Sequence, residues 1–244
     1  MAAPSVLASV APGPGPASVE LTRRGAVFQD PEALAVRMAG EFSAHHCLTL
    51  RGLLGPRLLE AVIRQVEAGG FEERVHEGIG PNRELCLRPG PATGLLHLLL
   101  NSEPLFQFLE RVTRCPPIGS FQGRVYRVVP GQGHHDAWHS DLVGGRLLAL
   151  SLNLGRTPFA GGRLQIRDRA SEAVLHDVAN TGPGDALVFR LAPELQHRIT
   201  EMEGSTPKTA FAGWFSSGPT FRDLIERSRA AAADPGSAPP GGSP

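Results

Sequence analysis

Between residues 119 and 215 the chain is broken into short β-prone runs by Gly, Pro and Asp, which limits this half to small strands joined by tight turns. The candidate strands are 123–129, 146–154, 162–167, 173–178, 185–191, 197–200 and 208–216. Several short strands with turn signals at this spacing read as an all-β barrel or sandwich. The texture before residue 115 is different. Asp30-Pro31-Glu32 is a helix start, with Asp as N-cap and Pro in the first turn, and Leu34, Met38 and Phe42 follow at helical spacing. A short strand, 47–50, precedes a second helix after Pro56 that places Leu58, Leu59, Val62, Ile63 and Val66 on one face. Residues 93–114 read as one or two more helices, broken near Pro104. Helices first and strands later make a mainly β fold with N-terminal helices buttressing one face of the core.

The length, 244 residues, suits one catalytic domain. We place it at 21–228, with a helical part at 30–114 and a β core at 119–216. The flanking stretches 1–20 and 229–244 are rich in Ala, Pro, Gly and Ser and read as disordered tails, unable to bury enough surface to offset chain entropy. The first of them has neither a basic start nor an unbroken apolar run, so it does not read as a signal peptide. No segment approaches the roughly 20 apolar residues that cross a bilayer, so no membrane partner is expected. Formal net charge is zero, which argues against nucleic acid as a partner. Cys47, Cys86 and Cys115 are the only cysteines and form no CxxC pair, consistent with a reducing, cytoplasmic setting. The sequence carries no signal for an oligomeric state.

The chemistry-bearing feature is Trp138-His139-Ser140-Asp141. Residues two apart on a strand point the same way, so His139 and Asp141 can converge on one ion. His197, 56 residues beyond Asp141, sits where a second strand delivers a third ligand. Two imidazoles and one carboxylate on one face of an octahedron leave the opposite positions open, which suits iron(II) oxygenases. Neighbouring His134, His135 and Asp136 are decoys. A zinc site from His135 and His139 requires one helical turn, and the glycines at 131 and 133 argue against a helix there. His45, His46, His76, His97 and His176 have no partner at ligand spacing.

From Tyr126 to Phe215 the chain resembles the 2-oxoglutarate/iron(II) dioxygenases of the prolyl 4-hydroxylase-like branch. Six pieces occur in the family's order. They are Val129-Pro130-Gly131, then His139-x-Asp141, then Gly161-Gly162-x-Leu164-x-Ile166, then Gly184-Asp185 with its apolar run to Phe189. His197-Arg198-Ile199-Thr200 and the stretch from Lys208 to Trp214-Phe215 complete the set. The resemblance implies a double-stranded β-helix, the jelly roll shared with cupins. It implies that His139, Asp141 and His197 hold Fe(II), with no catalytic residue beyond these ligands. It further implies that a basic residue soon after the distal His pairs with the far carboxylate of 2-oxoglutarate.

That residue is Lys208, eleven after His197 and about one more than the family's spacing. The turn-forming Gly204-Ser205-Thr206-Pro207 absorbs the difference. Lys208, Ala210, Ala212 and Trp214 then share one face of a strand. Asn153 and Ser151 lie where the family contacts 2-oxoglutarate. Tyr126, the only tyrosine, is a further cosubstrate candidate, although it stands three residues before the family's usual tyrosine and so at reversed strand parity. Trp138 is expected at the substrate mouth, and Arg124, Arg127, Arg146 and Arg190 are candidates to meet a substrate carboxylate.

The implied cofactors are Fe(II), 2-oxoglutarate and O2, with ascorbate as a candidate reductant. The implied reaction is hydroxylation of an unactivated C–H bond of an amino acid, or of a peptide or protein residue, with succinate and CO2 as co-products. Asp141 favours hydroxylation over halogenation, since halide-transferring relatives lack that carboxylate. The alternatives are tailoring of a secondary-metabolite intermediate and a non-catalytic cupin-like metal-binding module.

Overall fold

The computed structural model describes residues 18–76, 82–132, 136–180 and 182–233. A hairpin, β1 (Val19–Thr22) and β2 (Gly25–Phe28), leads into α1 (Pro31–His45), β3 (Cys47–Leu50) and α2 (Pro56–Ala68). The pair β4 (Phe71–His76) and β5 (Asn82–Leu87) precedes α3 (Pro91–Leu100) and α4 (Glu103–Thr113). The rest is β6 (Ser120–Val128), β7 (Arg146–Asn153), β8 (Ala160–Gly161), β9 (Leu164–Asp168) and β10 (Val174–Val178). It continues through β11 (Ala186–Arg190), β12 (Leu195–Ile199), β13 (Met202–Glu203) and β14 (Lys208–Ser216) to a final helix, α5 (Phe221–Ala233). The N-cap read from sequence is in place, the Asp30 carboxylate accepting from the Ala33 N–H at 3.2 Å.

Seven antiparallel strands form the major sheet in the order β3-β11-β7-β14-β6-β5-β4, and β10-β9-β12 form a smaller one. The period-2 side-chain alternation of each central strand sorts its residues between two cores. Leu148, Leu150 and Leu152 of β7 and Phe211 and Phe215 of β14 join the core built with α1 to α4, against Leu34, Phe42, Val62, Leu96 and Leu109. Their neighbours Ala149, Leu187 and Phe189 point the other way and meet Leu164, Ile166 and Leu195 of the small sheet. Two antiparallel sheets face to face, one backed by helices, are the double-stranded β-helix expected. Fully burying each Leu or Phe in the helix-side core contributes about 1.5–3 kcal/mol, so the helices hold the large sheet as a rigid wall for the site.

The sequence did not reveal three features. Strands β4 and β5 lie inside the stretch 30–114 and extend the major sheet to its edge. Glu72, Glu73 and Arg74 are exposed on β4, and such charge protects an edge strand while hiding it from a hydrophobic-pattern search. The hairpin from Val19 begins inside the stretch 1–20 assigned to the N-terminal tail. Helix α5 likewise covers 229–233 of the stretch assigned to the C-terminal tail. The start of α5 had a readable signal, a capping box in which the Asp223 carboxylate accepts from the Thr220 N–H at 2.9 Å while the Thr220 hydroxyl accepts from the Asp223 N–H at 3.2 Å. The remainder of both tails, and His134 and His135, lie outside the described residues. No described helix is long and apolar enough to cross a membrane.

Candidate metal and cosubstrate site

The segment carrying His139 lies beside β12 as a short extra strand, and the two histidines exchange backbone hydrogen bonds. His139 N–H donates to His197 O at 3.1 Å, and His197 N–H donates to His139 O at 2.9 Å. Directly opposed residues of an antiparallel pair have neighbouring side chains, and the two rings lie 4.3 Å apart between centroids. Asp141, two residues on from His139, points the same way. Its carboxylate oxygens lie 3.8 Å from His139 Nε2 and 3.4 Å from His197 Nε2. One ligand atom from each of the three residues falls within 4.8 Å of the others, the arrangement a single ion requires.

The surroundings fix which atoms face that point. The carbonyl of Ala137 can only accept, so the 2.8 Å contact makes His139 Nδ1 the protonated nitrogen and leaves the Nε2 lone pair for a metal. His197 is buried, its ring edge-on to Phe189 at 4.9 Å. Asp141 accepts from the indole N–H of Trp214 at 2.9 Å. Burial opposes ionisation of this carboxyl, but the hydrogen bond and charge of His197, with the Trp214 N–H, outweigh it and hold its pKa at about 2. An ionised carboxylate and two imidazoles whose Nε2 atoms lie beside it are a donor set fit for Fe(II).

Lys208, the only lysine in a chain with 24 Lys and Arg residues, opens β14 with its side chain turned inward. It is 3% exposed, a burial that a lysine adopts only when something inside needs its charge. Its ammonium donates to Gly162 O at 3.1 Å and lies 5.6 Å from the Phe159 ring centroid. Burial pushes its pKa down to about 8, with the charge of Asp136 acting the other way. The Gly161-Gly162 pair has φ of +69° and +54°, and a side chain at Gly162 would meet Met202 and the Lys208 stem. These glycines bend the chain so that a carbonyl reaches the ammonium.

The register places all the cosubstrate candidates on one inner face. Val128 pairs with Lys208, Tyr126 with Ala210, and across β7 Asn153 pairs with Ala210 and Ser151 with Ala212. Tyr126 therefore faces inward with Lys208 despite the parity argument. It packs against the small apolar cluster Val128, Phe159 and Met202, and burial pushes its phenol above the usual range. The Ser151 hydroxyl is buried within hydrogen-bonding reach of the Tyr126 phenol, and the two put polar oxygens on the wall that a bound carboxylate or keto oxygen would meet. A lysine ammonium has three N–H donors and the bond to Gly162 O uses one, so its chemistry suits the far carboxylate of 2-oxoglutarate. Asn153 is committed elsewhere. Both amide hydrogens go to the carbonyls of Asn180 (3.2 Å) and Gly182 (3.1 Å), and its oxygen accepts from Gly155 N–H at 2.8 Å. It shapes the wall.

Trp138 does not stand at the substrate mouth. Its ring is sandwiched between Arg167 and Arg198, at 4.6 and 4.5 Å, on outward-facing positions of the small sheet. Arg127 bonds Thr209 and stacks on Phe71, and Arg190 stacks on Phe42 and donates to Thr113 O, so neither faces the inner cavity. Arg146, stacked on Trp214 at 3.6 Å and 3.9 Å from Asp141, is beside the metal point. Asp136, treated as a decoy in the sequence, lies close enough to Lys208 and both histidines to feel their charges, and burial raises its pKa.

Residues 121–216 match the family model described as the 2OG-Fe(II) oxygenase superfamily, a span holding the whole triad and Lys208. The match runs from β6 to β14. No curated protein matches the chain. Among solved structures, an oxidoreductase of the 2OG-Fe(II) oxygenase family from Burkholderia pseudomallei aligns at TM-score 0.61 and 12% identity, over 76% of this chain and 92% of that one. A Trichoplax adhaerens prolyl hydroxylase, in complex with a hypoxia inducible factor oxygen degradation domain peptide fragment, aligns at 0.59 and 17%, over 83% and 94%. A Pseudomonas putida prolyl-4-hydroxylase aligns at 0.54 and 19%, over 75% and 98%. Likeness at these identities establishes the shared fold.

Proposed function

We propose that this oxygenase hydroxylates an unactivated C–H bond of an amino acid or of a peptidyl residue, forming succinate and CO2 from 2-oxoglutarate. The observation that carries the reading is the single lysine, buried on the inner face of the β14 strand whose other end reaches the triad through Trp214. A purely structural metal site has no use for a buried cation there. His139, Asp141 and His197 would hold Fe(II), and Lys208 with Ser151 would hold the far end of 2-oxoglutarate. Iron and 2-oxoglutarate together supply the activation of O2 and the oxidising power.

The chain's residues do the rest. Ala137 O keeps the His139 proton on Nδ1, and the Trp214 N–H holds one Asp141 oxygen so that the other can face the metal. Ala210 and Ala212, small residues between Lys208 and Trp214, leave room for the cosubstrate. The closed inner core of Leu187, Phe189, Leu164 and Ile166 keeps water from the far side. The prolyl hydroxylase neighbours support an amino-acid target.

The test is mass spectrometry of amino acids and short peptides incubated with enzyme, Fe(II) and 2-oxoglutarate, with and without O2. The expected result is a product carrying one added oxygen atom, with matching succinate, only in air. Product formed without O2, or without 2-oxoglutarate consumption, refutes the proposal.

A further inference from the structure

A cavity of about 880 Å³ opens beside the triad. Its volume lies in the range that encloses a small organic molecule. Trp214, whose indole bonds Asp141, forms one wall; the segment from Val143 to Arg146, just after Asp141, forms another; α5 closes the outer side with Phe221, Leu224 and Ile225. Among the lining residues there are two guanidinium groups, Arg124 and Arg146, and no carboxylate. The two have different partners. Arg124 is held by Glu84, which lies at 2.6 Å and is itself buried outside the lining. Arg146 lies over the Trp214 ring, partly exposed; one of its N–H groups donates to Asp141 O at 3.5 Å, and its carboxylate neighbour is Asp141 at 3.9 Å. Asp141 is committed to the metal, so a loaded site leaves Arg146 with its charge directed at the cavity.

Resting on the oxygenase reading above, and narrowing its target to a free acid in place of a peptidyl residue, we infer that the substrate is a small organic acid with an apolar body, its carboxylate held by Arg146 and its carbon chain lying between Trp214 and α5. A guanidinium fixed by stacking on an indole is pre-oriented for a two-oxygen anion and presents its N–H edge with little further loss of freedom. The lip adds matching apolar surface: Val143 is 65% exposed and Ile225 37%, both facing the space the acid's body would occupy. A carboxylate anchored at Arg146 places the adjoining carbons beside Asp141, and hence beside the metal, while the remote end extends along α5. Specificity would then come from the distance between the anchored carboxylate and the carbon that is oxidised.

The experiment is calorimetric titration of the anaerobic Fe(II) enzyme, saturated with 2-oxoglutarate, with three probe acids and their neutral amides. The probes are 3-phenylpropionate, 4-phenylbutyrate and octanoate. Saturation keeps the probes out of the cosubstrate pocket, and the metal-to-ligand charge-transfer band of bound 2-oxoglutarate is recorded in the same samples. At least one acid should bind about tenfold or more tightly than its amide in the wild-type protein. Arg146→Gln should erase that preference and Arg146→Lys should keep part of it, with 2-oxoglutarate affinity within about fivefold of wild type in both. No acid preferred over its amide, or a preference that survives Arg146→Gln, overturns the inference while the band leaves the oxygenase reading intact. Absence of the band in the wild-type protein sinks that reading, and this inference with it.

Discussion

Replacing Lys208 with methionine should make the cofactor-free protein more stable and the enzyme worse. Burial holds the Lys208 pKa at about 8 against the ordinary 10.5. At about 1.4 kcal/mol for each pKa unit, the charged ammonium is disfavoured inside the fold by about 3 kcal/mol. Methionine is of similar length and has no charge to desolvate. It forfeits the hydrogen bond to Gly162 O, which returns about 1 kcal/mol and leaves a net gain of about 2 kcal/mol. The effect on binding has the opposite sign: losing one partner of a buried charge pair costs roughly 2–5 kcal/mol, about 30- to several-thousand-fold in 2-oxoglutarate affinity.

The pH dependence separates this account from ordinary repacking. Between about pH 8 and pH 10.5 the unfolded chain carries the Lys208 proton and the native protein has released it, so wild-type stability should rise with pH across that window. The variant should lack this component. Urea unfolding of metal-free protein at several pH values, with 2-oxoglutarate titration of the anaerobic Fe(II) form, makes the comparison. A methionine variant that is less stable at pH 7, or one that binds 2-oxoglutarate as tightly as wild type, refutes the reasoning.

Two further outcomes follow from the site. Trp214→Phe keeps an aromatic surface under Arg146 but removes the N–H that orients Asp141, so Fe(II) affinity should fall about 10- to 100-fold with the fold unchanged by circular dichroism; an unchanged dissociation constant contradicts that role. A triple Cys→Ser variant should keep its iron, since no cysteine belongs to the ligand cluster and burial raises all three thiol pKa values; loss of iron in a folded triple variant contradicts the ligand set.

The features legible in the sequence were those set by local spacing. His-x-Asp encodes convergence because two residues on an extended segment share a side, and the Asp30-Pro31 helix start is equally local. The alternation in β14 placed Lys208 and Trp214 on one face before any fold was known. What escaped depends on register between distant strands. Nothing in the order of residues says that Tyr126 falls opposite Ala210, or that the Trp214 indole reaches Asp141. Asn153 had the right face, but its amide was spent on the carbonyls of Asn180 and Gly182, nearly thirty positions away. Trp138 was misplaced because its neighbours Arg167 and Arg198 come from two separate strands. Strands β4 and β5 were missed because the charge that suits an edge erased the apolar alternation.

The central claim is that His139, Asp141 and His197 hold the iron to which 2-oxoglutarate binds. It is tested most directly by adding 2-oxoglutarate to the anaerobic Fe(II) protein and watching for the visible metal-to-ligand charge-transfer band. The account predicts the band in wild type at one equivalent per chain. It predicts the same band at higher 2-oxoglutarate concentration in Lys208→Met, and none in His139→Ala or His197→Ala, whose circular dichroism should match wild type because the ligands sit on a preformed barrel. A full band in either histidine variant, or no band in the wild-type protein, contradicts it.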